Sequence, residues 1–304
     1  MVVGERLPPA ALGERVGVEV GRLGPDADGT LLARVRVDGC LRDLARGTAD
    51  ELPRVVARLK VLAGLSAFRT AEPQDGSLVV RAEGGREQHA RLATLPVVGG
   101  EQAVLRFLDP PGMPRLLNEL GLPDAARSEI ERLLDEPSGA LVVTGPCSSG
   151  KTTTLHAMAR ALLDRRGDWL HLVTVEDPVE QRLEGAVQVE ADPARGMTFA
   201  RALAAVLRQD PNVLLVGETR DPDTARMAIE SAFTGHLVLT SLHVGSPDEV
   251  PRRLELLGVP PWQVAEAVRG VVSQRLLRRA CGACEARGCE RCAGSGHRGR
   301  IAVA

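Results

Sequence analysis

Apolar residues fall along this 304-residue chain in two rhythms. In the first hundred residues they alternate over short stretches, at 31–37 (LLARVRV), 78–81 (LVVR) and 103–108 (AVLRFL). Alternation with a period of two predicts strands covered on one face. Between the first two stretches, Leu52, Val55, Val56, Leu59, Leu62 and Ala63 recur at helical spacing. Gly99-Gly100 reads as a turn between two strands. The segment 109–114, DPPGMP, interrupts both patterns and predicts a hinge. From about 115 to 280 the rhythm changes. Mainly apolar runs at 140–144, 171–175, 213–216 and 237–241 are separated by helical patterns. Such runs predict strands buried on both faces, as in a parallel α/β sheet. The expected order is an α+β domain over 1–108, the hinge, an α/β core over 115–280, and a cysteine-rich element with a tail over 281–304.

The first of the buried runs ends in a glycine-rich turn, LVVTGPCSSGKTTT over 141–154. Gly145, Gly150, Lys151 and Thr152 complete the G-x-x-x-x-G-K-[ST] pattern. The two glycines let the backbone curl so that its N–H groups face a phosphate, with Ser148, Ser149 and Thr153 beside them. Lys151 reaches the β/γ-phosphates, and the Thr152 hydroxyl suits Mg²⁺. Leu155, Met158, Ala159, Leu162 and Leu163 then form a helical stripe whose N-terminus points at the anion. Of 38 basic residues only Lys60 and Lys151 are lysine, so the ammonium at the loop is not a product of composition.

The other buried runs also end in polar residues, which is where ligands gather in open α/β sheets. NVLLVGETRD (212–221) places Glu218 near metal-bound or attacking water. HLVTVEDPVE (171–180) ends in Glu176-Asp177, adjacent carboxylates of the kind that serve as general base. In TGHLVLTSLH (234–243), His236 and His243 bracket a strand, and their seven-residue separation puts them on opposite faces if the extension is regular.

Composition narrows the field. The formal net charge is −2 and aromatics make up 2% of the chain, with no Tyr, which argues against a nucleic-acid-binding surface. No apolar run reaches the length of a membrane span, and MVVGERLPPA has no leader pattern, so a cytoplasmic protein is expected. Four of six cysteines crowd into Cys281-x₂-Cys284-x₄-Cys289-x₂-Cys292, enough thiolates to close a structural Zn²⁺ site.

GPCSSGKTTT, VEDPVE, RQDPNVLLVGETRD and TGHLVLTSLH stand in the order and spacing of the secretion-superfamily hexameric ATPases. The chain resembles those of type II secretion and type IV pilus assembly (GspE/PilB-like) over roughly residues 30–300. The resemblance implies a P-loop NTPase (RecA-like) core, a smaller PAS-like α+β domain before it and a short four-cysteine element after it. Glu218 would be the glutamate of the Walker B element, Glu176 the catalytic acid of the aspartate box, and His243 the γ-phosphate sensor, with His236 secondary. Arg91 and Arg106 would be the arginines that the smaller domain contributes. The implied cofactors are ATP, Mg²⁺ and a structural Zn²⁺. The implied assembly is a homo-hexamer working on an inner-membrane platform protein, without direct nucleic acid, and peripheral to the membrane through partners. Departures are a four-residue loop between the cysteine knuckles where the family has a longer insert, and missing flanking segments. The expected activity is Mg-ATP hydrolysis driving secretion or pilus assembly; the alternative is a nucleotide-binding structural or regulatory subunit with little turnover.

Overall fold

The computed structural model describes residues 18–81, 87–107, 115–292 and 294–304; the 109–114 hinge lies outside the described residues. The chain forms two compact units, one from residues up to 110 with 278–299, the other from 111–277 with 300–304. The cysteine element, expected to stand by itself, belongs to the same unit as the N-terminal domain.

In the first unit the strands are β1 (Val18–Pro25), β2 (Leu31–Val37), β3 (Cys40–Gly47), β4 (Gln74–Arg81), β5 (Glu87–Val97) and β6 (Gly100–Phe107). They build one antiparallel sheet in the order β3-β2-β1-β6-β5-β4. Alternation sends Leu31, Leu78, Ala90, Leu92, Ala103 and Leu105 to one face, where helix α1 (Glu51–Leu62) covers them with Leu52 and Val56. Lys60 is buried at this layer, paired with Glu101 and donating to the Arg69 carbonyl at 2.9 Å. The cysteine element joins the sheet's far end: Arg278 Nη1 lies 3.3 Å from Cys40 Sγ, and the Gly299 amide donates to Asp38 Oδ2 at 2.8 Å.

The second unit is wound on a sheet of β7 (Gly139–Thr144), β8 (Leu172–Glu176), β9 (Val187–Glu190), β10 (Val213–Val216), β11 (Leu237–Leu242) and β12 (Val268–Ser273). The order is β12-β7-β11-β10-β8-β9 and every pair is parallel. Every residue of β7, β8, β10 and β11 is buried, as two-sided cover by helices requires. On one face lie α2 (Asp124–Leu133) and α3 (Lys151–Arg166), the latter seating Leu155, Met158, Ala159 and Leu162 against Leu141, Val143 and Leu239. On the other lie α4 (Phe199–Val206) and α5 (Pro222–Phe233), the latter packing Ala225, Ala228 and Ile229 over Val142, Val216 and Val238. The start of α5 is set by Asp221, whose Oδ1 accepts the Thr224 amide at 2.9 Å, with Pro222 in the first turn. Among the described residues no helix is long and apolar enough to cross a membrane.

Candidate functional site

Strand order positions the site. Because β11 runs between β7 and β10, the C-terminal ends of these three strands lie side by side, and their following residues converge. Register pairs Leu242 with Thr144 and Val216 with Thr240, so His243 follows beside Gly145 while Gly217 and Glu218 leave β10 next to β11. The turn after β10 is pinned to β11. The Thr219 amide donates to the Ser241 carbonyl at 2.9 Å, and Ser241 Oγ donates to the Gly217 carbonyl at 2.7 Å.

The loop from Gly145 to Gly150 can be built only with glycine at its ends. Both have positive φ, +145° and +88°. A Cβ at Gly145 would strike the Gln274 carbonyl, and one at Gly150 would come within 2.8 Å of Gln274 Nε2. Gln274 is the residue that sequence reasoning missed here. Its buried side chain accepts from Thr154 Oγ1 at 2.6 Å and donates to the Ser149 carbonyl at 2.8 Å. Its backbone amide holds the Thr144 carbonyl at 2.8 Å, so the loop is fastened from behind. The only signal for it was one amide within the run VVSQRLL. Thr144 Oγ1 and Ser149 Oγ are buried at this loop without a hydrogen-bond partner, two hydroxyls suited to an anionic guest.

Lys151 opens α3 and is 7% exposed. Its Nζ donates to the carbonyls of Gly145 and Pro146, each at 2.9 Å, and lies 3.5 Å from His243 Nδ1. Burial draws its pKa below the usual lysine range; Glu218 opposes that shift and Arg220 adds to it. His243 Nε2 is 3.5 Å from Glu218 Oε2, which also pairs with Arg220 Nη2 at 2.7 Å. Cys147 Sγ lies 3.9 Å from His243 Nδ1. Lys151, His243 and Glu218, far apart in sequence, thus form one row of ionisable side chains at the mouth of the loop. Thr152 and Thr153 follow in the first turn of α3. Oxygen donors from Thr152 and Glu218 match what Mg²⁺ takes.

Two of the sequence-predicted residues are elsewhere. His236 precedes β11 at its opposite end, about 23 Å away along an extended chain. Its Nδ1 is 3.1 Å from the Ser231 carbonyl. Glu176 ends β8, separated from β7 by β10 and β11, about 14 Å of sheet. Its carboxylate faces α3 and is 3% exposed. Oε2 lies 2.7 Å from His156 Nε2, and Oε1 accepts from Thr174 Oγ1 at 2.7 Å and from Gln188 Nε2 at 3.2 Å. Burial pushes this carboxyl up, but the bonds and charge of His156 and the donors Thr174 and Gln188 outweigh it and hold the pKa below the ordinary value.

In the first unit, Arg91 and Arg106 stand directly opposite one another on β5 and β6, both exposed on the sheet face away from α1. Arg22 on β1 and Arg34 on β2 oppose each other in the next row of that face. None of the four has an acidic partner among the described residues. Like charges placed opposite one another repel, so this face favours an anion.

The four thiols of Cys281, Cys284, Cys289 and Cys292 lie within 4.8 Å of one another. The resolved Sγ–Sγ distances are 3.9 Å (Cys281–Cys289) and 3.8 Å (Cys284–Cys292 and Cys289–Cys292). A tetrahedron with Zn–S bonds of about 2.3 Å has edges of about 3.8 Å, so the set fits zinc. The four-residue link closes because Glu285, Ala286 and Gly288 take positive φ. Burial pushes the Cys292 thiol up, but the amides of Cys289 and Gly296, both 3.2 Å from its Sγ, bring it to about 6. Burial raises the Cys284 thiol to about 11.

Known proteins resemble this chain in sequence and fold. The family model described as type II/IV secretion system protein matches residues 26–304. A type II secretion system protein E of Dickeya dadantii is 40% identical over 296 residues, covering 90% of this chain and 59% of that protein. The type IV pilus assembly ATPase TfpB of Acinetobacter baylyi is 36% identical over 297 residues, covering 89% and 50%. The chain therefore spans between half and two thirds of the length of these curated relatives. Among solved structures, the pilus retraction motor PilT with bound ADP superposes with a TM-score of 0.61 at 27% identity, over 95% of this chain and 79% of that one. The Legionella pneumophila ATPase DotB superposes at 0.72 with 23% identity, over 94% and 75%, a likeness of fold.

Proposed function

The chain belongs to the type II/IV secretion system protein family, and from that premise we propose that it is an ATPase motor for type II secretion or type IV pilus assembly. The observation that carries the reading is the row of Lys151, His243 and Glu218 at the mouth of a loop whose glycines leave no room for a side chain. A triphosphate in that loop meets backbone N–H groups, the α3 N-terminus and the Lys151 ammonium, all of which favour negative charge. Thr152 holds Mg²⁺ in this reading, and the ion, when bound, neutralises charge on the β- and γ-phosphates. Glu218 orients the attacking water and takes its proton. His243 bridges Glu218 and Lys151, so a γ-phosphate on the lysine is felt by the carboxylate through one imidazole. Glu176 serves as the second catalytic carboxylate. Arg91 and Arg106 are the phosphate-neutralising arginines of the smaller domain in this reading, a role supported by their shared row and by the lack of an acidic partner among the described residues. The cysteine element holds a structural Zn²⁺, and the working form is a homo-hexamer at the cytoplasmic side of an inner-membrane platform protein.

Steady-state ATP hydrolysis by the purified chain, with its solution mass, tests this reading. Lys151→Ala should abolish nucleotide binding. Glu218→Gln should bind nucleotide normally and lose about 10²-fold or more in turnover. Wild-type turnover in the glutamine variant removes Glu218 from its role. Binding without turnover in the parent chain would leave a regulatory subunit in place of a motor.

A further inference from the structure

His156 and Glu176 form the most enclosed acid–base pair of the core, at 1% and 3% exposure. The imidazole comes from α3, five residues beyond Lys151, and reaches across to the last residue of β8. The other two donors to the carboxylate come from β8 itself and from β9. Gln188 is fixed in turn: its Nε2 also donates to the Gln181 carbonyl at 2.9 Å, and its Oε1 accepts the Leu183 amide at 2.9 Å. Glu190, the register partner of Glu176 on β9, is engaged elsewhere, its Oε2 accepting the Val179 amide at 3.1 Å. On the β10 side the neighbour is Gly217, where an added Cβ would come within 3.5 Å of Glu176 Cγ. Among the described residues, His156 is therefore the titratable side chain bonded to Glu176, and it links that carboxylate to the helix carrying the phosphate-binding residues.

We propose that His156 is a positioning residue for nucleotide hydrolysis, fixing the Glu176 carboxylate relative to the N-terminal turn of α3. The proposal rests on the reading of Glu176 as a catalytic carboxylate. Thr174 and Gln188 can hold Glu176 against its own sheet, but neither can hold it against the helix. In a close-packed, dry setting an imidazole at 2.7 Å fixes both the direction and the distance of a carboxylate oxygen. A displacement of about 1 Å in a catalytic group costs up to about 10²-fold in rate.

The test compares His156→Phe, which keeps the ring volume and removes the donor, with His156→Gln, which keeps an N–H donor. Glu176→Gln and the Glu176→Gln/His156→Phe double variant serve as references. Steady-state kinetics on the full chain should show kcat lowered about 10- to 100-fold in His156→Phe, with KM for ATP within about twofold of the parent. His156→Gln should recover most of the loss. The double variant should be no slower than Glu176→Gln, since the imidazole acts only through that carboxylate. If His156→Phe does not fold, His156→Asn, polar but too short to span the gap, takes its place with the same expectations. Undiminished kcat in the His156 variant beside a slow Glu176→Gln overturns the positioning role, as does a loss that multiplies in the double variant. Full turnover in Glu176→Gln refutes the catalytic reading of Glu176 itself and removes the basis of the proposal.

Discussion

Gln274→Leu removes the fastening behind the phosphate loop while nearly preserving volume. Three bonds meet at this residue, and the substitution spares only the one made by its backbone amide. The Thr154 hydroxyl and the Ser149 carbonyl lose their partners at 2.6 Å and 2.8 Å in a region closed to water. Leaving a buried polar group unpaired costs about 1–3 kcal/mol, and leucine's better burial returns part of that. A net loss of about 2–4 kcal/mol follows for the core. Thr154→Val on the same background deletes one of the two orphans and should restore about 1–2 kcal/mol. Urea unfolding followed through Trp262, whose ring packs edge-on against Phe233, reads the relevant transition. The chain has only two tryptophans, Trp169 and Trp262, and both lie in the core unit. The argument fails if Gln274→Leu stays within about 0.5 kcal/mol of the parent, or if Thr154→Val makes it worse.

Arg91→Ala should relieve the repulsion from Arg106 opposite, so the first unit should gain about 0.2–1 kcal/mol, read as slower amide exchange in β5 and β6, while ATP turnover falls. The depressed pKa of Glu176 means that its stabilising contribution is fully present above the unfolded-chain value of about 4.3, and is lost as pH falls through the lower folded value. The stability gap between the parent and Glu176→Gln should thus be widest near neutrality and shrink below about pH 4, as a thermal-unfolding series across pH would register. The purified chain should carry one Zn²⁺ by elemental analysis, and Cys292→Ser should abolish it. Retention of one equivalent in the serine variant would put the metal elsewhere.

The core was the more legible half. Leu141–Val143 and Val213–Val216 are unbroken β-branched or leucine runs because both faces of their sheet are covered, and the strand at 213–216 matches to the residue. The antiparallel sheet was harder to read. β1 and β3 alternate apolar residues with Gly and Arg, and their hydrophobicity per residue is low because one face is open. β9 has only four residues, too few for a period to register. The phosphate loop announced itself through local chain geometry, which glycine spacing encodes. His156 and Gln274 did not, since their partners lie 20 and 120 or more residues away, and nothing nearby in sequence marks a buried imidazole or amide as a clamp. His236 and His243 bracket β11 as the spacing predicts, one residue outside each end of the strand. The tie of the cysteine element to the first sheet spans 238 residues or more, a separation that no local pattern encodes.

That tie sets an order of events during synthesis. The first unit is a broken segment of chain, with residues 111–277 inserted between its two parts. Its sheet leaves the ribosome early, but Arg278 and Gly299 arrive only after residues 111–277 have been made, about 10–30 s later at ordinary elongation rates. For that interval the far end of the sheet, at Asp38 and Cys40, waits for contacts the growing chain has yet to supply. A released chain ending at residue 277 should show protease-sensitive β2 and β3 beside a more resistant second unit.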